Sequence, residues 1–200
     1  MKTKFSDWAA ALLTLSGVAG VVLTGRSPAT AVQLADGTVY FEQPPSLIDY
    51  ATTRTTTFAP NATYYFTVSL PSNAGEPLER VTIEQRDSST LARRVDYRVD
   101  ATYAFVGTRQ SQGDSRRSLP LGTVAYDRDT QAIAITFDPP VPPGTTATVA
   151  LRPRRNPQLD GTYLFRVVAF PPAPENGSAH GQFLGFGRLR FDRPEFFRWW

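Results

Sequence analysis

Residues 138–157 read DPPVPPGTTATVALRPRRNP and hold six prolines around a clear strand pattern. Ala147, Val149 and Leu151 alternate with the residues between them, which is typical of a half-buried strand. Proline lacks the N–H that a β-ladder needs, so sheets confine it to edges, strand starts and bulges. We therefore predict that the four prolines before Gly144 end one strand and that Gly144 permits a turn. The chain would cross there from one sheet of a sandwich to the other. A proline-rich peptide ligand in the polyproline II form is the alternative.

Short apolar runs with a period of two recur on both sides of this stretch. The other runs that we interpret as strands or strand pairs are residues 62–70, 78–85, 97–108, 122–138, 161–170 and 181–191. In the fourth of these, Ile133, Ile135 and Phe137 are expected to face inward together. About eight strands at a spacing of about 8–12 residues predict an all-β sandwich or barrel.

The first 31 residues have the order of a secretory signal peptide. Two lysines are followed by a nearly uncharged run from Trp8 to Gly25, and Ala29 and Ala31 supply the small side chains that a signal peptidase reads. Cleavage after Ala31 would leave a chain that starts at Val32. The alternative is an uncleaved anchor, although the run is close to the lower limit of about 20 apolar residues for a membrane span.

These patterns divide the chain into four predicted parts. They are a signal peptide (1–31), an extended lead-in rich in Thr and Pro with room for an edge strand (32–58), a β-sandwich domain (59–191) and an aromatic C-terminal tail (192–200).

Charge and cysteine content argue against a nucleic-acid-binding protein and against a fold held by disulfides. The chain carries +3 at pH 7, and about +1 once Lys2, Lys4, Arg26 and Asp7 leave with the signal. Both lysines are in the signal, so every remaining cation is an arginine. So small an excess argues against a nucleic-acid partner. The chain has no cysteine, and a domain of this length can bury a sufficient core without disulfides.

Six motifs resemble one known family. They are YFEQPPSLIDYATT, PNATYYFTVSLPSNAGEPLERVTIEQ, AFVGTR, TFDPPVPPGTTATVALRPRRNP, GTYLFRVVAFP and GQFLGFGRLRF, which occur in that order and cover most of Phe41 to Phe191. Together they are similar to the exported cyanobacterial family catalogued as domain of unknown function 2808. The resemblance implies export and one domain of this family, and it implies no activity and no catalytic positions.

A looser similarity concerns the fold. The run VPPGTTATVALRPRRNP followed by GTYLF is similar to strand pairs in bacterial immunoglobulin-like modules. We therefore expect an immunoglobulin-like antiparallel β-sandwich of about eight strands.

The residues that could carry chemistry are few. With no cysteine and only His180, the donor set does not suit zinc. The run 127–129 lacks the remainder of a calcium loop and is interpreted as a hairpin turn. No phosphate-binding loop occurs, so no cofactor is expected. Ser178 and His180 are the only pair that could serve a hydrolase as nucleophile and base.

Two surfaces are candidates for contact with a partner. Arg152, Arg154 and Arg155 end a strand, and guanidinium groups suit carboxylates and phosphates. The alternative is that they are solvated and paired with nearby acids. The tail is the second surface, with four aromatic residues among the last five: Phe196, Phe197, Trp199 and Trp200. Such a tail suits a membrane interface or a protein groove, or it covers an open end of the sandwich.

We therefore expect an exported binding or structural protein of the cell envelope that is not an enzyme. The periplasm is the first choice of compartment and the thylakoid lumen the second. The partner is expected to be an envelope protein, a polysaccharide or a membrane surface. The alternative function is a hydrolase that acts on envelope material.

Processing can be tested directly. Because Ala29 and Ala31 present the side chains that the peptidase needs, the mature amino terminus should be Val32. Sequencing the amino terminus of the protein in the envelope fraction checks this, and recovery of Met1 would favour the anchor instead.

The tail can be tested by deleting residues 194–200. If the tail is an interface anchor, liposome sedimentation should fall while the melting temperature is kept. If it covers the sandwich, each buried ring stabilises by about 1.5–3 kcal/mol, so the melting temperature should fall. Lower stability with unchanged sedimentation contradicts the anchor.

Overall fold

A computed structural model describes residues 32–33, 37–86, 90–111, 117–175 and 177–194. The strands are, in order, β1 (Val32–Gln33), β2 (Thr38–Tyr40), β3 (Ser46–Thr52), β4 (Tyr64–Ser69), β5 (Leu78–Gln85), β6 (Tyr103–Val106), β7 (Ser118–Leu119), β8 (Leu121–Asp127), β9 (Ala132–Val141), β10 (Thr146–Leu151), β11 (Gly161–Phe170), β12 (Ser178–Ala179) and β13 (Gln182–Phe191). Two 3-10 turns, Leu91–Arg93 and Val99–Ala101, interrupt them. The predicted signal segment and residues 195–200 lie outside the described residues. No helix in the described ranges is long and apolar enough to cross a membrane.

The strands form two five-stranded antiparallel sheets that face each other. The first sheet has the order β3-β4-β10-β6-β7 and the second has the order β13-β11-β5-β9-β8. A small third sheet has the order β1-β2-β12. Side chains from both large sheets share one buried core, so the predicted all-β sandwich is confirmed.

The strand order is that of an immunoglobulin-like domain. Such domains pair strands A, B, E and D in one sheet and C, F and G in the other. Here β3, β4, β10 and β6 take the first set of places and β5, β11 and β13 the second, in the same chain order. Strands β8 and β9 are inserted between D and E and extend the second sheet beside β5.

A tyrosine at the start of β11 supports the same assignment. The hydroxyl of Tyr163 donates a 2.7 Å hydrogen bond to the carbonyl of Leu159, four residues upstream. This contact corresponds to the tyrosine corner that immunoglobulin-like sandwiches place before strand F.

The proline-rich stretch behaves partly as predicted. Strand β9 belongs to the second sheet and β10 to the first, so the chain does cross between sheets here. Gly144 makes the turn with φ of 79°, a conformation that glycine adopts without steric cost.

The predicted end of the strand before the crossing is wrong. Strand β9 continues through Pro139 and Pro140 to Val141. Its register against β5 shifts, so that residues 137–140 lie opposite Glu79 alone. In a bulge of this kind the extra residues do not pair with the neighbouring strand. Proline is tolerated there because no ladder hydrogen bond is required of it.

The predicted lead-in contributes to the sandwich. Strand β3 pairs with β4 along Ser46–Thr52 and forms the edge of the first sheet. The short apolar piece at Val39 instead belongs to the small sheet, through β2. Of the strands in the two large sheets, β3 and β7 are the ones that the apolar pattern did not count.

The core consists of the inward positions of both sheets. Its largest fully buried side chains are Tyr64, Tyr163, Phe66, Phe137, Phe165, Phe191, Leu70, Leu78, Ile83, Ile133, Ile135 and Leu151. Aromatic rings meet across the sheets, with the Phe66 and Phe165 centroids 5.7 Å apart. The inward register expected for Ile133, Ile135 and Phe137 is confirmed.

Phe137 offers a test of this register. Because its side chain is only 2% exposed, Phe137→Ala should lower the free energy of unfolding by about 3–5 kcal/mol. Thr136→Ala, on the outward side of the same strand, is the control and should cost about 1 kcal/mol or less. Urea denaturation of both variants measures the difference. Equal losses would show that the strand does not alternate as described.

Candidate functional site

The three arginines that follow β10 do not form one patch. Arg154 and Arg155 are exposed and Arg152 is half-buried. The guanidinium of Arg152 lies 5.9 Å from the ring centroid of Tyr103, whereas Arg155 forms a β-bridge to Pro60. Arg154 instead lines a cleft that other segments build. The candidate contact surface therefore separates into Arg152 and Arg154 on one side and Arg155 on the other.

A short antiparallel pairing places two further side chains beside these arginines. Tyr97 forms a β-bridge to the proline between Arg152 and Arg154. The N–H of Arg98 donates to the carbonyl of Arg152 at 2.9 Å, and the N–H of Arg154 donates to the carbonyl of Asp96 at 2.8 Å. Because side chains alternate along a strand, Asp96 and Arg98 share a face with Arg154 and Arg152, while Tyr97 points into the core.

An open cleft of about 330 Å³ lies beside this pairing. The 3-10 turn Val99–Ala101 and the end of β8 supply its walls. The residues that line it are Tyr97, Arg98, Val99, Asp100, Tyr126, Arg128 and Arg154.

Asp96 forms ion pairs with two arginines at this cleft, and its Oδ1 has no hydrogen-bond partner among the described residues. Its Oδ2 lies 3.2 Å from Nε of Arg154, and its Oδ1 lies 3.4 Å from Nε of Arg128. All three side chains are about half exposed or more, and exposed pairs of this kind contribute little to stability. The Nε of Arg98 is buried and has no hydrogen-bond partner among the residues that the structure describes.

The two tyrosines of the cleft are held as neutral hydroxyls. Burial raises the pKa of Tyr97 well above its usual value. Burial, and then the charge of Asp96, raises the pKa of Tyr126. The Tyr126 hydroxyl donates to the carbonyl of Val95 at 2.7 Å. These rings support the wall of the cleft and do not supply an acid or base near neutral pH.

Next to the cleft, the outer face of the first sheet carries aromatic side chains. Ala150 on β10 pairs with Tyr65 on β4 and with Tyr103 on β6, the strands on either side. The hydroxyl oxygens of the two tyrosines are 3.4 Å apart. Both rings are half-buried. The ring of Phe105 stacks beside Tyr103 at 6.2 Å. Because Arg152 lies two residues after Ala150 on the same face, this aromatic face adjoins the arginines.

Sequence patterns did not identify these aromatic side chains as candidates, nor Arg98 and Arg128. One signal was present in the sequence: Tyr65 stands at the outward position between the inward Tyr64 and Phe66. An aromatic side chain on the solvent side of a strand is a reason to suspect a contact surface.

Ser178 lies in β12 of the small sheet, and His180 follows that strand and donates its backbone N–H to the carbonyl of Val39 at 2.9 Å. The hydroxyls of Ser178 and Thr38 are 3.1 Å apart, and the ring of His180 stacks on Tyr40 at 4.6 Å. Within the described ranges, no carboxylate forms a salt bridge with His180.

The hairpin turn and the tail complete the predicted positions. The Asp127 carboxylate accepts from the N–H groups of Asp129 and Thr130, at 2.8 and 3.4 Å. These bonds lower the pKa of Asp127, so the carboxylate serves the turn. No group of three His, Cys, Asp or Glu side chains suited to a metal ion occurs in the described part of the chain. Phe196, Phe197, Trp199 and Trp200 lie outside it.

The strand order, the tyrosine corner and the cleft define an immunoglobulin-like β-sandwich module with an arginine-rich surface at one end. The chain belongs to the DUF2808 family, proteins of unknown function, whose family model matches residues 38–191. No curated protein sequence matches it.

Several solved structures are similar in overall arrangement. The collagen-binding domain from a Staphylococcus aureus adhesin is 10% identical, with 72% of this chain and 99% of that chain covered and a TM-score of 0.37. A cohesin module from a Clostridium perfringens family 33 glycoside hydrolase is 11% identical, with coverage of 74% and 99% and a TM-score of 0.40. Domains D2 and D3 of the major pilin SpaD from Corynebacterium diphtheriae are 14% identical, with coverage of 70% and 51% and a TM-score of 0.40. Similarity at this level carries no information about a ligand.

Proposed function

We propose that the protein is an exported, non-catalytic binding module that holds an anionic partner of the cell envelope. The observation that carries this proposal is the convergence of Arg98, Arg128 and Arg154 on one cleft. Asp96 and Asp100 are the acidic side chains of that region, and Asp96 is shared between two arginines. Arg152 adds a further positive charge beside them, so cations outnumber acids at this end of the sandwich.

Arginine is suited to this role by its geometry. Its planar guanidinium presents several N–H donors in a fixed fork that matches a carboxylate or phosphate. The ion pairs to Asp96 leave most of these donors available, because each is made through Nε. A partner with several negative groups can therefore engage more than one arginine at once.

Export is supported by the signal pattern that ends at Ala31, and we place the protein in the periplasm, with the thylakoid lumen as second choice. The resemblance to a cyanobacterial family favours this pair of compartments. We propose a non-catalytic role because, among the described residues, the hydroxyl of Ser178 contacts Thr38 and the ring of His180 stacks on Tyr40, and no hydrogen bond joins Ser178 to His180.

The test compares retention of the purified protein on dextran sulfate beads and on neutral dextran beads, at about 0.15 M salt. The wild type should be retained on the charged beads only. The variant R98A/R154A should bind at least about tenfold more weakly, a difference of about 1.4 kcal/mol.

The matched control is R190A/R193A. It also removes two exposed arginines, each paired with an aspartate, from another part of the surface, and its retention should equal that of the wild type. Equal weakening of the two variants would mean that only net charge matters, and failure of the wild type to bind would refute the cleft as an anion site.

A further inference from the structure

We infer that the anionic partner is an acidic polysaccharide, with sugar rings lying on Tyr65 and Tyr103 and carboxylates bound by Arg98 and Arg152. This inference rests on the proposed function, since it names the chemistry of the partner for the same surface. It depends on the juxtaposition of two neighbouring tyrosines with two arginines that form no salt bridge with any described residue.

The aromatic area is shaped by the residue beneath it. Tyr65 and Tyr103 reach toward each other from neighbouring strands, with the small side chain of Ala150 between them. Their hydroxyls meet at 3.4 Å, so the two side chains together cover Ala150. Both are half-buried. A pyranose ring presents C–H groups on its faces and hydroxyls at its edge, which matches a tyrosine's apolar ring and polar end.

The charges next to this area are unbalanced. Arg98 and Arg152 lie directly opposite each other on one face of the paired segments, and like charges in that position are destabilising. Among the described residues neither forms a salt bridge. The neighbouring pair, Asp96 and Arg154, is compensated. A carboxylate between Arg98 and Arg152 would relieve the repulsion and reach the buried Nε of Arg98.

The spacing also suits a polymer. From Ala150 to Arg152 the chain advances two residues, about 6.6 Å for extended backbone, and Arg154 follows two residues later at a bend. The three positions therefore follow one another along one segment. A polysaccharide that lies along this line would place successive units on the tyrosines, at the arginine pair and at the cleft. A free phosphate or sulfate would use the arginines and gain nothing from the rings.

Calorimetry with three soluble probes tests the inference: oligogalacturonate, its fully methyl-esterified form and a polyphosphate of equal charge. The wild type should bind oligogalacturonate more tightly than polyphosphate and should not bind the ester. Tyr103→Leu, which removes the flat ring but keeps an apolar side chain, should weaken oligogalacturonate binding about tenfold and leave polyphosphate binding unchanged. A melting curve confirms that the variant is folded.

Phe186→Leu is the control, because Phe186 is a half-exposed aromatic residue on the other sheet, and it should bind like the wild type. If Tyr103→Leu binds both anions like the wild type, the polysaccharide inference fails and the anion cleft stands. If the wild type binds no anion, the proposed function fails as well. Tighter, Tyr103-dependent binding of a single-stranded oligonucleotide would overturn the inference in favour of nucleic acid.

Discussion

The fully buried carboxamide of Asn156 fixes the end of the sandwich at which the cleft lies. Its Nδ2 donates to the carbonyls of Arg54 and Thr56, at 2.9 and 2.8 Å, and its Oδ1 accepts from the Tyr64 hydroxyl at 2.9 Å. Every donor of the amide is therefore used. Removing it would leave buried partners unsatisfied at about 1–3 kcal/mol each, so the path of the chain after β10 depends on this one side chain.

The same loop connects the core to the proposed binding surface. It begins with Arg152 and Arg154, which pair with residues 96–98, and passes through Asn156 to Leu159, where the tyrosine corner holds it against β11. The arginines are thus carried on a segment that is anchored at both ends by buried hydrogen bonds. A surface held in this way loses little conformational freedom when a partner binds, which favours affinity.

Much of the fold could be predicted because strands with one buried face leave a period of two in the sequence. Ile133, Ile135 and Phe137 were placed correctly on that basis. The passage of β9 through Pro139 could not be predicted, because the register shift that accommodates it depends on the partner strand. The cleft could not be predicted from the sequence either, because Asp96 and Arg128 come close together only when separate strands have paired. The burial of Asn156 could not be predicted either, because asparagine is seldom fully buried.

Lys2 and Lys4 are the only lysines of the chain, so the cations of the proposed binding surface are guanidinium groups alone. A guanidinium keeps its proton throughout the usual aqueous range, whereas an ammonium group begins to lose its proton near pH 10. The surface therefore carries no lysine amine. Reagents that couple to amines also leave it chemically intact and attach the protein only near its amino terminus. Immobilised in this way, the molecule would present its arginines and tyrosines unmodified and in one defined orientation.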